Sequence, residues 1–103
     1  MRTAKVCFHD HLAGCLVEVE YGRSYQFQYE TDYSGFPVSL TMPVRSEAYI
    51  FDTFPPFFDG LLPEGFQLEA LLRLKKLDRT DRFGQLIQIG ADTVGAVTII
   101  GDV

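Results

Sequence analysis

Four potential metal ligands stand close together near the start of the sequence, at Cys7, His9, His11 and Cys15. Thiolate and imidazole groups are ligands that zinc prefers, and alternate positions of a strand share one face. A hairpin centred on His11 would place Cys7 opposite Cys15. The spacing matches none of the usual zinc knuckles, however, and neighbouring strand positions splay ligands too widely for a tetrahedron. We therefore predict no metal and no other cofactor, and interpret these residues as two small buried thiols and two loop histidines.

Candidates for catalysis are equally sparse. Asp59 and Glu64 flank a Leu-Leu-Pro triplet and could pair as acid and base, but no nucleophile or histidine stands near them. The glycines of segment 90–95 suggest a phosphate loop, yet the segment lies between a predicted helix and a predicted strand. No helix N-terminus follows to bind an anion, so we interpret the segment as a structural turn. The sequence therefore predicts a protein that is not an enzyme.

Size and charge narrow the class of protein further. The chain has 103 residues, of which 47% are hydrophobic, and a net charge of −5. At this size folding buries about two-thirds of the surface that the unfolded chain exposes. This predicts one domain over residues 1–103 with a core large enough to fold by itself. The acidic balance argues against direct nucleic-acid binding. No segment approaches the roughly 18 apolar residues of a membrane span, and the start lacks the features of a signal peptide. We expect a cytoplasmic protein that does not bind a membrane.

The sequence is rich in aromatic residues, with 9 Phe and 5 Tyr. A small domain hides so many rings only in part, which predicts an exposed aromatic patch for a partner. The rings most available for contact stand in predicted loops or near prolines: Tyr33, Phe36, Tyr49 and Phe51. A second apolar set stands at helical spacing and is assigned to the core: Phe57, Phe58, Leu61 and Leu62.

Strands dominate the first half of the chain. Alternation of apolar and polar residues predicts strands at 4–8, 14–20 and 25–30, which form an antiparallel meander. The third strand places three rings on one face: Tyr25, Phe27 and Tyr29. Segment 38–42 alternates in the same way and is predicted to be extended until Pro43 stops it.

Helices dominate the second half. The proline pair 55–56 suits the first turn of a short helix, and Pro63 suits the first turn of a longer one. The longer helix carries leucines at helical spacing, which predict a buried stripe: Leu68, Leu71 and Leu72, with Leu74 as a further candidate. A third helix is predicted from about Thr80, with Gly90 as its left-handed stop.

An apolar, β-branched run at 96–100 predicts a closing strand that joins the sheet from the far end of the chain. The fold class is therefore α+β. We expect a small antiparallel or mixed sheet with about three helices.

One string in the second half resembles the hallmark of the N-terminal subdomain of HipA-type serine/threonine kinases. Its centre is the run Leu61, Leu62, Pro63, Glu64 and Gly65. Further matches follow in family order at 14–16, 25–29, 38–43, 81–83, 90–92 and 95–97, so the resemblance covers nearly the whole chain. It implies the fold of that subdomain, with the Leu-Leu-Pro-Glu-Gly motif shaping a helix junction.

The resemblance also implies a function. The lysine, catalytic loop and metal-binding aspartate of the kinase are absent from this sequence, and a free-standing copy of the subdomain resembles the HipS family of tripartite HipBST toxin–antitoxin modules. It implies an antitoxin that binds and inhibits a HipA-like kinase toxin lacking this subdomain. A helix-turn-helix DNA-binding protein of the same operon would be reached through the complex. The alternative left open is a non-inhibitory assembly subunit that stabilises the kinase–repressor complex.

Overall fold

Five antiparallel strands form one sheet. The computed structural model describes residues 1–93 and 95–102. The strands are β1 (Arg2–Phe8), β2 (His11–Glu20), β3 (Ser24–Tyr29), β4 (Tyr49–Phe51) and β5 (Val97–Asp102). Their order across the sheet is β4-β3-β2-β1-β5, and each neighbouring pair is antiparallel. The predicted meander and the closing strand are confirmed, with β5 added beside β1.

The β1–β2 hairpin turns at residues 9–10, which both have positive φ, 48° and 66°. Two central residues of this kind match the right-handed twist of the strands that they join. The resulting register pairs Lys5 with Cys15. The pairing of Cys7 with Cys15 was wrong, because the hairpin is not centred on His11. Within residues 1–93 and 95–102, no group of three or more Cys, His, Asp or Glu residues could hold a metal ion.

The helices are α1 (Pro56–Asp59), α2 (Gly65–Lys75) and α3 (Arg82–Ile89), and a 3-10 turn follows at Gly90–Asp92. None of the helices in the described part of the chain is long and apolar enough to cross a membrane. The core combines alternate strand positions with side chains of α1 and α3: Val6, Leu16, Phe27, Ile99, Phe58, Phe83 and Leu86. All three rings of β3 that were expected to share a face are buried, as predicted.

An ion-pair network joins β1 and β2 to the start of α3. Arg2 donates to both carboxylate oxygens of Glu18, at 2.6 and 2.9 Å, and to those of Asp81, at 2.8 and 3.2 Å. Glu18 is only 2% exposed, and the guanidinium lies over the ring of Phe83. Burial alone would raise the pKa of Asp81, but hydrogen bonds from Arg2 and from the Gly84 N–H outweigh it and hold that pKa below its ordinary value.

Segment 38–42 is not the predicted strand. It forms a tight turn in which the Met42 N–H donates to the Ser39 carbonyl at 3.1 Å. Val38 and Met42 are buried, whereas Leu40 is 96% exposed. The alternation that predicted a strand therefore comes from a turn with both ends held in the core.

Two predicted helix ends also differ. Helix α2 begins at Gly65 with Glu64 as its N-cap residue, so Pro63 precedes the helix instead of occupying its first turn. Gly90 has right-handed helical angles, with φ of −55°, and is not a left-handed stop. Glycine is needed there because a β-carbon would lie 2.2 Å from the carbonyl oxygen of Ile99.

The 3-10 turn and the residue after it pack against β5. The Thr93 hydroxyl donates to the Val97 carbonyl oxygen, and the backbone of Gly90 lies against the Ile99 carbonyl. A 3-10 turn occupies Gly90–Asp92, whereas the turn predicted over 92–95 includes Val94, which lies outside the described residues.

Candidate partner-binding surface

Helix α2 forms for local reasons. Its sequence is rich in strong helix formers such as Leu, Gln, Glu and Ala. Lys76 ends it in a left-handed conformation, with φ of 54°, and its N–H donates to the Leu72 carbonyl. Arg73 and Lys75 in the last turn complement the negative end of the helix dipole. These local features favour a helix at this point of the chain.

The inner side of α2 is only half-buried. Its leucines were predicted to be buried, but none of them is fully covered: Leu68, Leu71 and Leu72. The prediction was wrong because α2 lies beside α3 at the edge of the molecule, while α1 and α3 cover the sheet.

The outer side of α2 is apolar as well. Phe66 is 95% exposed and Leu74 is 77% exposed, and Ala70 between them is also exposed. Residues four apart lie one above the other on a helix, so these three form one line, called here the outer stripe. A surface helix normally presents polar residues on this side. The outer stripe is therefore an apolar surface with no cover from the described part of the chain.

The two ends of α2 differ in charge. Glu64 and Glu69 stand in its first half, whereas three exposed basic residues stand at its end: Arg73, Lys75 and Lys76. Glu69 is paired on the surface with Arg79. A surface that covers the outer stripe would match it best with acidic groups opposite the basic end.

Clefts lie on both sides of the junction between α1 and α2. One has a volume of about 400 Å³ and is lined by Leu61, Leu62 and Gln67, with Ile89 at the end of α3. The other has a volume of about 220 Å³ and includes Leu62, Pro63 and Glu64. The Leu-Leu-Pro-Glu-Gly run thus lies at the joint between the two helices, with both leucines half-buried.

Two of the predicted contact residues lie in the loop after β3. Tyr33 is half-buried and stacks on Tyr29, with 5.7 Å between the ring centroids. Burial raises the pKa of the Tyr33 hydroxyl, which donates to the Phe36 carbonyl at 2.5 Å. Phe36 is 75% exposed. Both line an open pocket of about 610 Å³ beside the β1–β2 turn, together with His9.

The other two predicted contact residues lie on β4. Tyr49 and Phe51 are half-buried, and Ile50 between them is 71% exposed on the opposite face. The Tyr49 hydroxyl donates to the Pro43 carbonyl at 2.6 Å, and the Arg45 guanidinium lies 3.6 Å from the centre of its ring. Because these residues line a different pocket from the first pair, the four rings fall into two separate sites. Their contact with a partner stays a prediction.

The sequence did not predict the exposure of Leu40 and Phe66, which are 96% and 95% exposed, and the placement of Leu74 in the buried stripe was wrong, since Leu74 is 77% exposed. A signal for Phe66 and Leu74 was present, because α2 has apolar residues on both sides of the helix and only one side can face its own core. No comparable signal marked Leu40, whose neighbours alternate like a strand.

A match to a known family covers nearly the whole chain. Residues 4–100 match the family model of the HipA N-terminal domain. This chain belongs to the HipA N-terminal domain family. The resemblance seen in the Leu-Leu-Pro-Glu-Gly motif is thereby confirmed over nearly the whole chain.

Relatives of this HipA N-terminal domain differ in length. An uncharacterized protein of Haemophilus influenzae is 33% identical over 99 residues, which are 96% of this chain and 92% of that protein. The proposed kinase Y4mE of Sinorhizobium fredii is 29% identical over 79 residues, which are 77% of this chain and 19% of that protein. The domain therefore makes up almost all of one relative and about a fifth of the other.

The fold of this HipA N-terminal domain also matches a solved structure. The N-terminal domain of HipA toxin aligns with a TM-score of 0.77 and 30% sequence identity, over 100% of this chain and 94% of that one. The five-stranded antiparallel sheet with three helices is the fold of that domain.

Proposed function

We propose that this HipA N-terminal domain is an antitoxin, which binds and inhibits a HipA-like kinase toxin that lacks the domain. The observation that carries the proposal is the outer stripe of α2, which a domain with its own core would otherwise cover or make polar. In the Sinorhizobium relative, the matched segment belongs to a much longer chain. A separate copy of the domain would find the corresponding surface on another protein.

The outer stripe has the chemistry of a contact centre. Burying Phe66 and Leu74 would contribute roughly 1.5–3 kcal/mol each from the hydrophobic effect. Aromatic residues dominate the binding energy of many interfaces when they enter a dry pocket. The basic end of α2 would orient the kinase through acidic groups on its surface.

The net charge of this chain indicates how a DNA-binding protein would join the complex. With a net charge of −5, this chain is unsuited to direct contact with DNA. A helix-turn-helix protein of the same operon would therefore be joined through the kinase. We expect all three proteins in the cytoplasm, where the kinase has its ATP.

Co-expression with the kinase of the same operon tests the proposal. We expect the wild-type chain to restore growth and to co-purify with the kinase. Phe66→Asp is expected to abolish both without changing the melting temperature, since Phe66 is 95% exposed. Ile50→Asp is the matched control, because Ile50 is also an exposed apolar residue, at 71%, but lies on the outer face of β4. Phe36→Asp tests the other predicted contact site.

Each other outcome has a distinct meaning. Absence of a complex with the wild-type chain would overturn the proposed function. A complex that leaves the kinase toxic would support the assembly subunit in place of the antitoxin. Loss of binding in Phe36→Asp, with Phe66→Asp unaffected, would move the contact from α2 to the predicted site at Tyr33 and Phe36.

A further inference from the structure

Helix α2 alone is too small to hold a stable partner. Eleven residues make a helix about 16 Å long and about 10 Å wide, so its outer side projects an area on the order of 160 Å². A stable protein interface needs about 800 Å² from each partner. The contact with the kinase must therefore extend over neighbouring parts of this chain.

The neighbouring surface leads from α2 across α1 to the Ser39–Met42 turn. The cleft beside α2 is lined by Gln67 and by Leu61, which stands two residues after the end of α1. Four residues earlier, Phe57 lines an apolar groove of about 230 Å³ whose far wall includes Thr41 and Met42. Half-buried apolar side chains thus connect α2 with the turn.

The Ser39–Met42 turn is held in one conformation from beneath. The buried Tyr29 hydroxyl accepts from the Val38 N–H at 3.0 Å and donates to the Met42 carbonyl. Above it, the Ser39 hydroxyl accepts from the Thr41 N–H at 3.2 Å and lies 2.8 Å from the Thr41 hydroxyl. Burial raises the pKa of Tyr29, so its hydroxyl keeps its proton.

This rigidity matters because of the residue that the turn presents. Leu40 is 96% exposed, between Val38 and Met42, which are both buried. A lone exposed leucine is ordinary on a protein surface. A leucine on a backbone that is already fixed is different, because its binding to a pocket costs little further conformational entropy.

We infer that the Ser39–Met42 turn is a second docking element, which places Leu40 in an apolar pocket of the same kinase. The inference rests on the proposed function and extends its surface beyond α2. The kinase pocket accepts an aliphatic side chain, and the kinase surface around it continues over the groove at Phe57.

Binding of the purified kinase to variants of this chain tests the inference, with the melting temperature of each variant measured in parallel. Leu40→Asp is expected to weaken binding about 30-fold, as for an interface anchor, without changing the melting temperature. Ser39→Ala keeps Leu40 but loosens the turn, and a weakening of about 3-fold is expected through faster dissociation. Ile100→Asp is the control, since Ile100 is 54% exposed on β5 and faces away from the helices.

The results separate this inference from the proposed function. If wild type and Leu40→Asp bind equally well, the docking role of the turn is wrong while the antitoxin function stands. If wild type does not bind, both are wrong. If Leu40→Asp leaves kinase binding unchanged but abolishes a dimer seen by sedimentation, Leu40 contacts a second copy and the inference is overturned.

Discussion

Arg2 is the residue on which two distant parts of the fold depend. It is the partner of Glu18 in β2 and of Asp81 at the start of α3. Glu18 is almost completely buried, so its charge has little solvent to stabilise it if the guanidinium is removed. The attraction between Arg2 and Glu18 thus contributes less to stability than is lost when one partner is removed and the other charge stays buried and unpaired.

We predict that Arg2→Ala lowers the free energy of unfolding by about 3–5 kcal/mol, because it leaves a buried carboxylate without its cation. Urea denaturation measures the change. Arg79→Ala is the matched control: Arg79 and Glu69 form an exposed ion pair, and its loss is expected to cost less than about 1 kcal/mol. Equal losses in the two variants would contradict the role given to Glu18.

At the scale of the elements, the contact between the 3-10 turn and β5 depends on a glycine, Gly90, which has no side chain to keep the two apart. Gly90 and Gly60 both follow a helix with right-handed backbone angles, so alanine suits the conformation of each. The two positions differ in the space available for a β-carbon. A β-carbon would lie 2.2 Å from the Ile99 carbonyl oxygen at Gly90, but no closer than 3.4 Å to any atom at Gly60.

We expect Gly90→Ala to lower the free energy of unfolding by about 2 kcal/mol, since the turn must move away from β5. Gly60→Ala should leave stability unchanged or raise it by up to about 1 kcal/mol through a less flexible unfolded chain. Thermal denaturation of both variants decides the matter. A Gly90→Ala protein as stable as wild type would show that the turn is not packed against β5 as described.

Some of these elements could be predicted from the sequence because their signals are local. The rings of β3 alternate strictly with polar residues, so Tyr25, Phe27 and Tyr29 had to share a face whatever covered them. The Leu-Leu-Pro-Glu-Gly motif carried the family resemblance that the comparison with known domains confirms. In each case the information lies within a few neighbouring residues.

Other features depend on contacts that no local pattern records. Helical spacing tells which leucines of α2 share a side, but not whether α3 or the core covers that side. Val38 and Met42 enter the core with the spacing of a strand although the chain between them turns. The need for glycine at Gly90 comes from Ile99, which reaches it only through the folded sheet.

At the scale of the whole molecule, stability should be uneven. The sheet and α3 supply the buried core, whereas α2 has no fully buried residue. Segments with few buried contacts open locally at lower free energy than the core does. Helix α2, which is proposed to meet the kinase, is therefore held less firmly by its own chain than the sheet and α3 are.

Hydrogen exchange measures this difference. We predict that amides of α2 exchange faster than those of β2 and α3 in the isolated protein, and that binding of the kinase slows them selectively. Amides of β2 serve as the internal control, because they are already protected in the sheet. Equal protection of α2 and α3 before binding would contradict the shallow packing of α2.

The two edges of the sheet are unequal in a way that matters when this chain is made in excess over its partner. Exposed strand edges allow copies of a protein to join sheet to sheet. At β5, the Thr93 hydroxyl and the backbone of Gly90 lie against the carbonyl groups of Val97 and Ile99, so these carbonyl groups are not free to pair with an incoming strand. At the other edge, β4 offers only three residues, too short a template for extended pairing. Surplus copies therefore have little means of stacking into a continuous sheet while they wait for a kinase.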